Sequence, residues 1–318
     1  MDPDARQPFD GEEDDDGQPQ PDADIPEAAP KPPSGFPFTP RGAASFAQTG
    51  WGRLFAWQLV IALTFGGGVL LVLGQHWAVV VDRAIQDHFP AQAGLQKGQL
   101  IWPDDRPQVF AHNRYLCVLV DPNATADHGQ LADVQIELRR GSWVCSSVFG
   151  QMEFDYLQRD FPLAREQFVP WWGSRRPFLL LGLGVTAGLA GWLGWLALGF
   201  LAIWPAKIIA YYSDRESGWP RLWRMAAAAF LPASALLAIG VLCYALRLLP
   251  LIGLLVLFPL HLILGGGYLF FASFYLPKLG ASSENPFDED PAPPDGDEGE
   301  SPRDEAANPF AVINDEDG

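Results

Sequence analysis

The feature that most limits what this chain can become is an apolar block between residues 178 and 276. Long runs within it carry no charge, and one polar stretch near residues 214–224 interrupts it. A further run, residues 54–81, has 28 residues without an Asp, Glu, Lys or Arg. At helical rise such a run makes a rod of roughly 42 Å, longer than the ~30 Å hydrocarbon core of a bilayer. A helix meets its backbone hydrogen bonds internally and can therefore sit in lipid. The sequence predicts an α-helical polytopic membrane protein with four transmembrane helices, at residues 54–81, 178–204, 225–246 and 251–276. Trp51, Trp57 and Trp77 fit interfacial belts around the first.

The net charge of −17 belongs to the ends. Residues 1–50 hold 11 Asp and Glu against Arg6, Lys31 and Arg41; residues 277–318 hold 13 against Lys278 and Arg303. The remainder, residues 51–276, is +2. Acidic segments rich in Pro and Gly bury too little surface to offset their ordering entropy, so 1–50 and 277–318 read as disordered tails. Their sign argues against nucleic acid as a partner. Lys is scarce while Arg, Ala, Gly and Pro abound, which points to a bacterial source and an inner (plasma) membrane.

Residues 82–176 read as a small β-rich domain. Short β-like runs at 99–102, 109–112, 115–121, 134–139 and 142–149 are separated by turn signals. Arg139-Arg140-Gly141-Ser142 reads as a hairpin turn. A domain this small is marginal alone. It is expected to lean on a stalk that continues the first span toward Phe89-Pro90, on the membrane surface or on another copy, and to return through a helical or irregular stretch at 156–166.

Charge sets the orientation. The loop 205–224 carries Lys207, Arg215, Arg221 and Arg224, whereas the turn between the last two spans carries Arg247 alone. Positive loops stay inside, so this loop and both tails are expected in the cytoplasm, with the β-rich domain extracytoplasmic. Cys117 and Cys145 fall in that domain and are a candidate disulfide, with buried free thiols as the alternative.

Motifs for chemistry are few. There is no Walker A, no HExxH, no paired intramembrane Asp and no CxxC, so no catalytic residue, metal or cofactor is expected. His261 lies deep in the fourth span near Pro259 and Gly265-Gly266-Gly267, which makes it a binding candidate, or a structural group bonded to Ser234 or Tyr244. A Ser234–His261 proteolytic dyad lacks the Gly-x-Ser-Gly setting of rhomboid-type proteases. Gly184, Gly188 and Gly191 share one helix face and favour close packing, within the chain or in a homodimer. The tail carries Asn285-Pro286-Phe287 and Asn308-Pro309-Phe310, a repeated turn presenting one Phe, as candidate docking motifs for cytoplasmic partners.

Lys97-Gly98-Gln99-Leu100 followed by Pro103, the run 116–120 ending at Asp121, and the basic then Ala-rich stretch 221–237 carry a resemblance. Over roughly residues 54–276 the chain resembles bacterial membrane families of unknown function, distantly Yip-like. These join one span to a small extracytoplasmic domain and a bundle of spans. The resemblance implies a membrane-organising or assembly role rather than an enzyme, although Yip-type bundles usually have five spans. The expected function is therefore non-enzymatic, organising, assembling or sensing. A small transporter or channel component built around His261 is the alternative.

Overall fold

The computed structural model describes residues 36–125, 129–216 and 218–278. Among them, four helices are long and apolar enough to cross a membrane: Trp51–His88, Arg165–Tyr212, Trp219–Ala245 and Leu251–Ser273. The β-rich domain is inserted between the first and the second.

The first long helix begins as α2 (Trp51–Val72), passes through a π-helical turn at Leu73–Trp77, continues as α3 (Ala78–Arg83) and ends in a second π turn at Ala84–His88. The stalk expected from the surplus length is this extension. Each π turn inserts a residue into the ladder and re-aims the side chains around it. Neither turn has a Pro to announce it.

The second long helix differs from expectation at both ends. Its main part, α4 (Arg165–Leu201), contains Pro170 and Pro177 and starts well before the apolar run. Residues 165–176, assigned to the β-rich domain from sequence, are thus helical and continuous with the span. Past a break at Ala202 the chain continues as α5 (Ile203–Tyr212), and α6 (Trp219–Ala229) follows. The predicted loop 205–224 is therefore mostly helix, with only residues 213–218 between α5 and α6. Ile208, Ile209, Tyr211 and Tyr212 carry the helix beyond the polar boundary that the charges suggested.

The third long helix breaks at Phe230, between α6 and α7 (Leu231–Ala245), and Pro232 occupies the first turn of α7. There its missing N–H costs nothing, because that donor has no helical acceptor. The last, α8 (Leu251–Ser273), runs unbroken through Pro259. Arg247 adopts a left-handed φ of 64° between them. The Leu248 amide then reaches the Cys243 carbonyl and the Arg247 amide the Tyr244 carbonyl, a Schellman ending with Arg where Gly is usual.

Residues 36–50, read as part of a disordered tail, are folded. Thr39 caps the short α1 (Pro40–Ser45), its hydroxyl accepting from the Gly42 amide at 3.0 Å. Phe46 is fully buried, the Arg224 guanidinium donates to the Ala47 carbonyl, and the Tyr268 hydroxyl donates to the Phe38 carbonyl. This segment plugs the end of the bundle opposite the inserted domain. Its Phe36, Phe38 and Phe46 are the aromatic content that acidity masks in a tail-wide composition.

The inserted domain holds two sheets. One has order β2-β1-β8, from β1 (Gly94–Gln96), β2 (Gln99–Ile101) and β8 (Phe161–Pro162). The β1–β2 turn places Lys97 and Gly98 at φ 49° and 75°, the left-handed pair a two-residue hairpin prefers. The other has order β3-β4-β5-β6-β7, from β3 (Gln108–His112), β4 (Leu116–Val120), β5 (Val134–Leu138), β6 (Ser142–Ser147) and β7 (Gly150–Asp155). All neighbours pair antiparallel except β4 and β5. Val80 and Ala84 of the stalk bury against Leu100, Phe110, Leu116, Val118 and Val120. The domain does lean on its stalk.

The sheet also settles the cysteines. Cys117 lies on β4 and Cys145 on β6, with β5 between them. Two strand spacings separate their Cα atoms by about 9.6 Å, beyond the ~7 Å a bridge allows. The register opposes Cys117 to Gln135 and Cys145 to Ile136, so the side chains leave opposite faces. The expected disulfide is absent, and both thiols are free. Burial pushes the Cys117 thiol up from 9.0 to about 11.

Candidate functional site

Buried polar side chains from three parts of the chain converge at the joint between inserted domain and helical bundle. It is built around the C-terminus of α7. The last carbonyls of a helix lack intrahelical donors. Here two of them are capped from outside. The His76 Nε2 lies 2.7 Å from the Ala245 carbonyl, which only accepts, so Nε2 carries the proton. The Tyr115 hydroxyl donates to the Tyr244 carbonyl at 3.0 Å.

His76 reaches that point because it lies in the first π turn. Its backbone carbonyl accepts from the Asn113 side-chain amide at 2.8 Å. Asn113 in turn accepts the backbone amides of Tyr115 and Leu116, which shapes the turn from β3 into β4. The His76 ring stacks flat on Tyr115, centroids 4.0 Å apart, and Tyr244 meets Tyr115 edge-on at 4.9 Å. The Tyr244 hydroxyl donates to the Asp133 carboxylate at 2.8 Å, just before β5. His76, Tyr115 and Tyr244 are all buried, and the His76 Nδ1 has no hydrogen-bond partner among the described residues. Stalk, sheet and α7 are thereby locked through one aromatic cluster.

A second clamp sits lower on the stalk. Asp82 accepts from the Trp172 indole at 2.7 Å and pairs with Arg176 at 2.6 Å. It ties the stalk to the early part of α4. On the far face of the large sheet, buried Glu137 pairs with Arg139 at 2.6 Å, and this hydrogen bond raises the pKa of the guanidinium.

His261 and Ser234 are both buried, but each bonds within its own helix. The His261 Nδ1 meets the Phe258 carbonyl, and the Ser234 hydroxyl donates to the Leu231 carbonyl at 3.0 Å. Tyr244, the other partner considered for His261, serves Asp133 instead. Gln58 of α2 is a buried polar group that sequence reading passed over; its amide is unpartnered among the described residues.

The glycine face does pack within the chain. A Cβ on Gly66 would lie 2.6 Å from the Gly184 carbonyl, and one on Gly188 would lie 3.0 Å from the Ala62 carbonyl. Gly191 faces Phe65 at 3.3 Å. Gly68, two residues on, faces Val241 and Leu242 of α7. The seam leaves an apolar groove of about 260 Å³ floored by Gly66, Gly67, Gly184 and Gly188.

Asn285, Pro286, Phe287, Asn308, Pro309 and Phe310 lie outside the described residues. Among the described residues, no group of three or more His, Cys, Asp or Glu is placed to hold a metal ion. Comparison with protein-family models, with curated proteins and with solved structures finds no match for this chain.

Proposed function

We propose that the chain is a non-enzymatic integral membrane protein with a sensing or assembly role, whose inserted domain faces outward and whose acidic tails meet cytoplasmic partners. The observation that carries this reading is the His76–Tyr115–Tyr244–Asp133 joint. A domain merely tethered by two linkers needs no buried contact with the third long helix. A domain that must report its state to the bundle needs a stiff one. The joint reaches α7 directly, and α7 is packed on α2 through Gly68.

The charge pattern supports the orientation. At the bundle end opposite the domain, Arg224 donates to the carbonyl of the docked Ala47, Arg215 to the Leu276 carbonyl, and Arg221 pairs with Glu216. Positive residues at one end mark the cytoplasmic side. The Yip-like layout adds the expectation of an organising role, in a bacterial inner membrane.

Reporter fusions test the reading. A reporter active only outside the cytoplasm is expected to work after Gly129 and to be silent after Gly280. The reverse pattern overturns the orientation. Pull-down from solubilised membranes, with and without residues 279–318, is expected to lose cytoplasmic partners with the tail; an unchanged partner set removes the tail from the proposal.

A further inference from the structure

The large sheet has one apolar face that is only partly covered. Its register aligns Val118, Ile136, Cys145 and Met152 in one row, and Val120, Leu138, Trp143 and Phe154 in the next. The stalk covers the β4 end of these rows. Ile136 and Leu138, one strand further, are only half-buried, and Met152 and Phe154 are 56% and 40% exposed. Pleat alternation is therefore inverted in burial on β5, where polar Gln135 and Glu137 are the buried pair.

What Ile136 and Leu138 face is a cavity of about 250 Å³. Ala84 and Ile85 of the stalk form one wall, Val118, Ile136 and Leu138 the sheet wall, and Phe168 of α4 closes a side. No charged side chain lines it. Tyr156 borders it too, but its hydroxyl is turned to the Arg139 carbonyl at 3.0 Å, so the ring is what faces inward. Water needs two to four polar partners to occupy such a space, and this lining offers none. An apolar cavity of roughly 150 Å³ holds benzene, so this one has room for about ten carbons by proportion.

The position adds the rest. Ile85 also borders a smaller pocket of about 180 Å³ that contains Asp82, Gln86, Trp172 and Arg176. Asp82 is the first charged residue after the apolar run of the first long helix. The oily cavity thus adjoins a polar niche at the level where the chain leaves its lipid-compatible sequence. Both helices that frame it run on into candidate spans.

We propose that this cavity binds one aliphatic chain of about ten carbons, whose polar head rests near Asp82, Trp172 and Arg176. The chain comes from a free fatty acid or from a bilayer lipid. The site names a ligand class for the sensing reading and rests on that reading only for its meaning; occupancy is measured independently of orientation or partners.

The full chain in phosphatidylcholine nanodiscs is illuminated with one of two probes. One is lauric acid bearing a terminal diazirine; the other is phosphatidylcholine carrying the same chain. Labelled peptides are mapped by mass spectrometry. Labelling within residues 81–89 and 134–138 is expected, by the free acid if the source is soluble and by the phospholipid if the source is the bilayer. Excess unlabelled lauric acid, or phosphatidylcholine with a laurate chain, removes it. Ile136→Trp and Leu138→Trp fill the cavity and should lower this labelling about tenfold, while labels at residues 51–80 and in the other three long helices stay unchanged. Labels confined to residues 51–80 and the other three long helices with both probes overturn the proposal. So does domain labelling that excess competitor leaves in place, a readout that needs no variant to fold. Saturable domain labelling alongside a reversed reporter pattern would keep the site and overturn only the orientation.

Discussion

Tyr244 does two jobs at one position. Its carbonyl accepts from Tyr115 and its hydroxyl donates to Asp133. Tyr244→Phe keeps the packing and the backbone carbonyl but strips the carboxylate of that donor. A hydrogen bond to a charged group contributes about 1.5–3 kcal/mol, so the unfolding free energy of the detergent-solubilised protein is expected to fall by that amount and its melting temperature to drop. No shift would mean that Asp133 is solvated in the folded state. The cysteines give a second residue-scale prediction. Thiol reagents should modify all three cysteines in denatured, non-reduced protein, whereas native Cys117 stays protected. Its folded pKa of about 11 lies above the ordinary 9.0. The neutral thiol is therefore favoured by folding, and that contribution is present below pH 9 and lost as pH rises toward about 11. Burial raises Tyr156 as well, so its loss follows in the same direction at higher pH. Cys117→Ala should flatten the first part of the alkaline decline measured by thermal melts; an unaltered decline would assign it elsewhere. Little of the joint is legible in the sequence. His76 marks the end of an apolar run, but its partner lies 169 residues away, and Tyr115 and Tyr244 are 129 apart. Isolated tyrosines carry no periodic signal. His261, which the sequence emphasises, is satisfied one helical turn back.

At the scale of elements, three adjacent glycines behave differently. Gly66 touches α4, Gly68 touches α7, and Gly67 has open space, with nothing within 4 Å of where a Cβ would stand. Gly66→Leu forces α2 and α4 apart, and overpacking of this kind costs about 1–3 kcal/mol. Gly67→Leu should be tolerated. Melting temperatures of the two variants, measured side by side, check this; equal losses would mean that the glycines serve the helix backbone rather than the seam. The seam itself is legible, because Gly184, Gly188 and Gly191 recur at helical spacing. The strands are legible too, since alternation and turn signals place β2 through β6 to within a few residues. β7 is hidden because Val148 and Phe149, apolar residues, form the hairpin turn and read as more strand. The helical starts at Pro40 and Arg165 are hidden for the converse reason. Both precede the apolar runs; α1 has only the Thr39 cap and Pro40 as local signals, and α4 has no side-chain cap, so tertiary contacts do most of the holding.

At the scale of the molecule, the helical bundle and inserted domain share a load path but not a core. One buried cluster gathers α1 and the far ends of the long helices, another joins stalk to sheet, and the small aromatic cluster bridges them. The capping of α7 by His76 and Tyr115 then bears on the order in which the chain is made. Stalk and sheet precede α7 in the sequence, so the ribosome delivers them first. When the α7–α8 hairpin arrives, its Tyr244 carbonyl accepts from the Arg247 amide within the turn, whereas the Ala245 carbonyl waits for His76 of the stalk and Tyr244 gains its second donor, Tyr115, only once the sheet has closed. The domain is a template for the last two helices, and a fault in it is passed to a segment more than a hundred residues downstream. Val118→Asp, which unsettles the sheet, should leave the 246–250 turn open to protease during pulse-chase synthesis while the α2–α4 pair stays resistant. Protection of that turn at the wild-type rate would show that the hairpin assembles without its template.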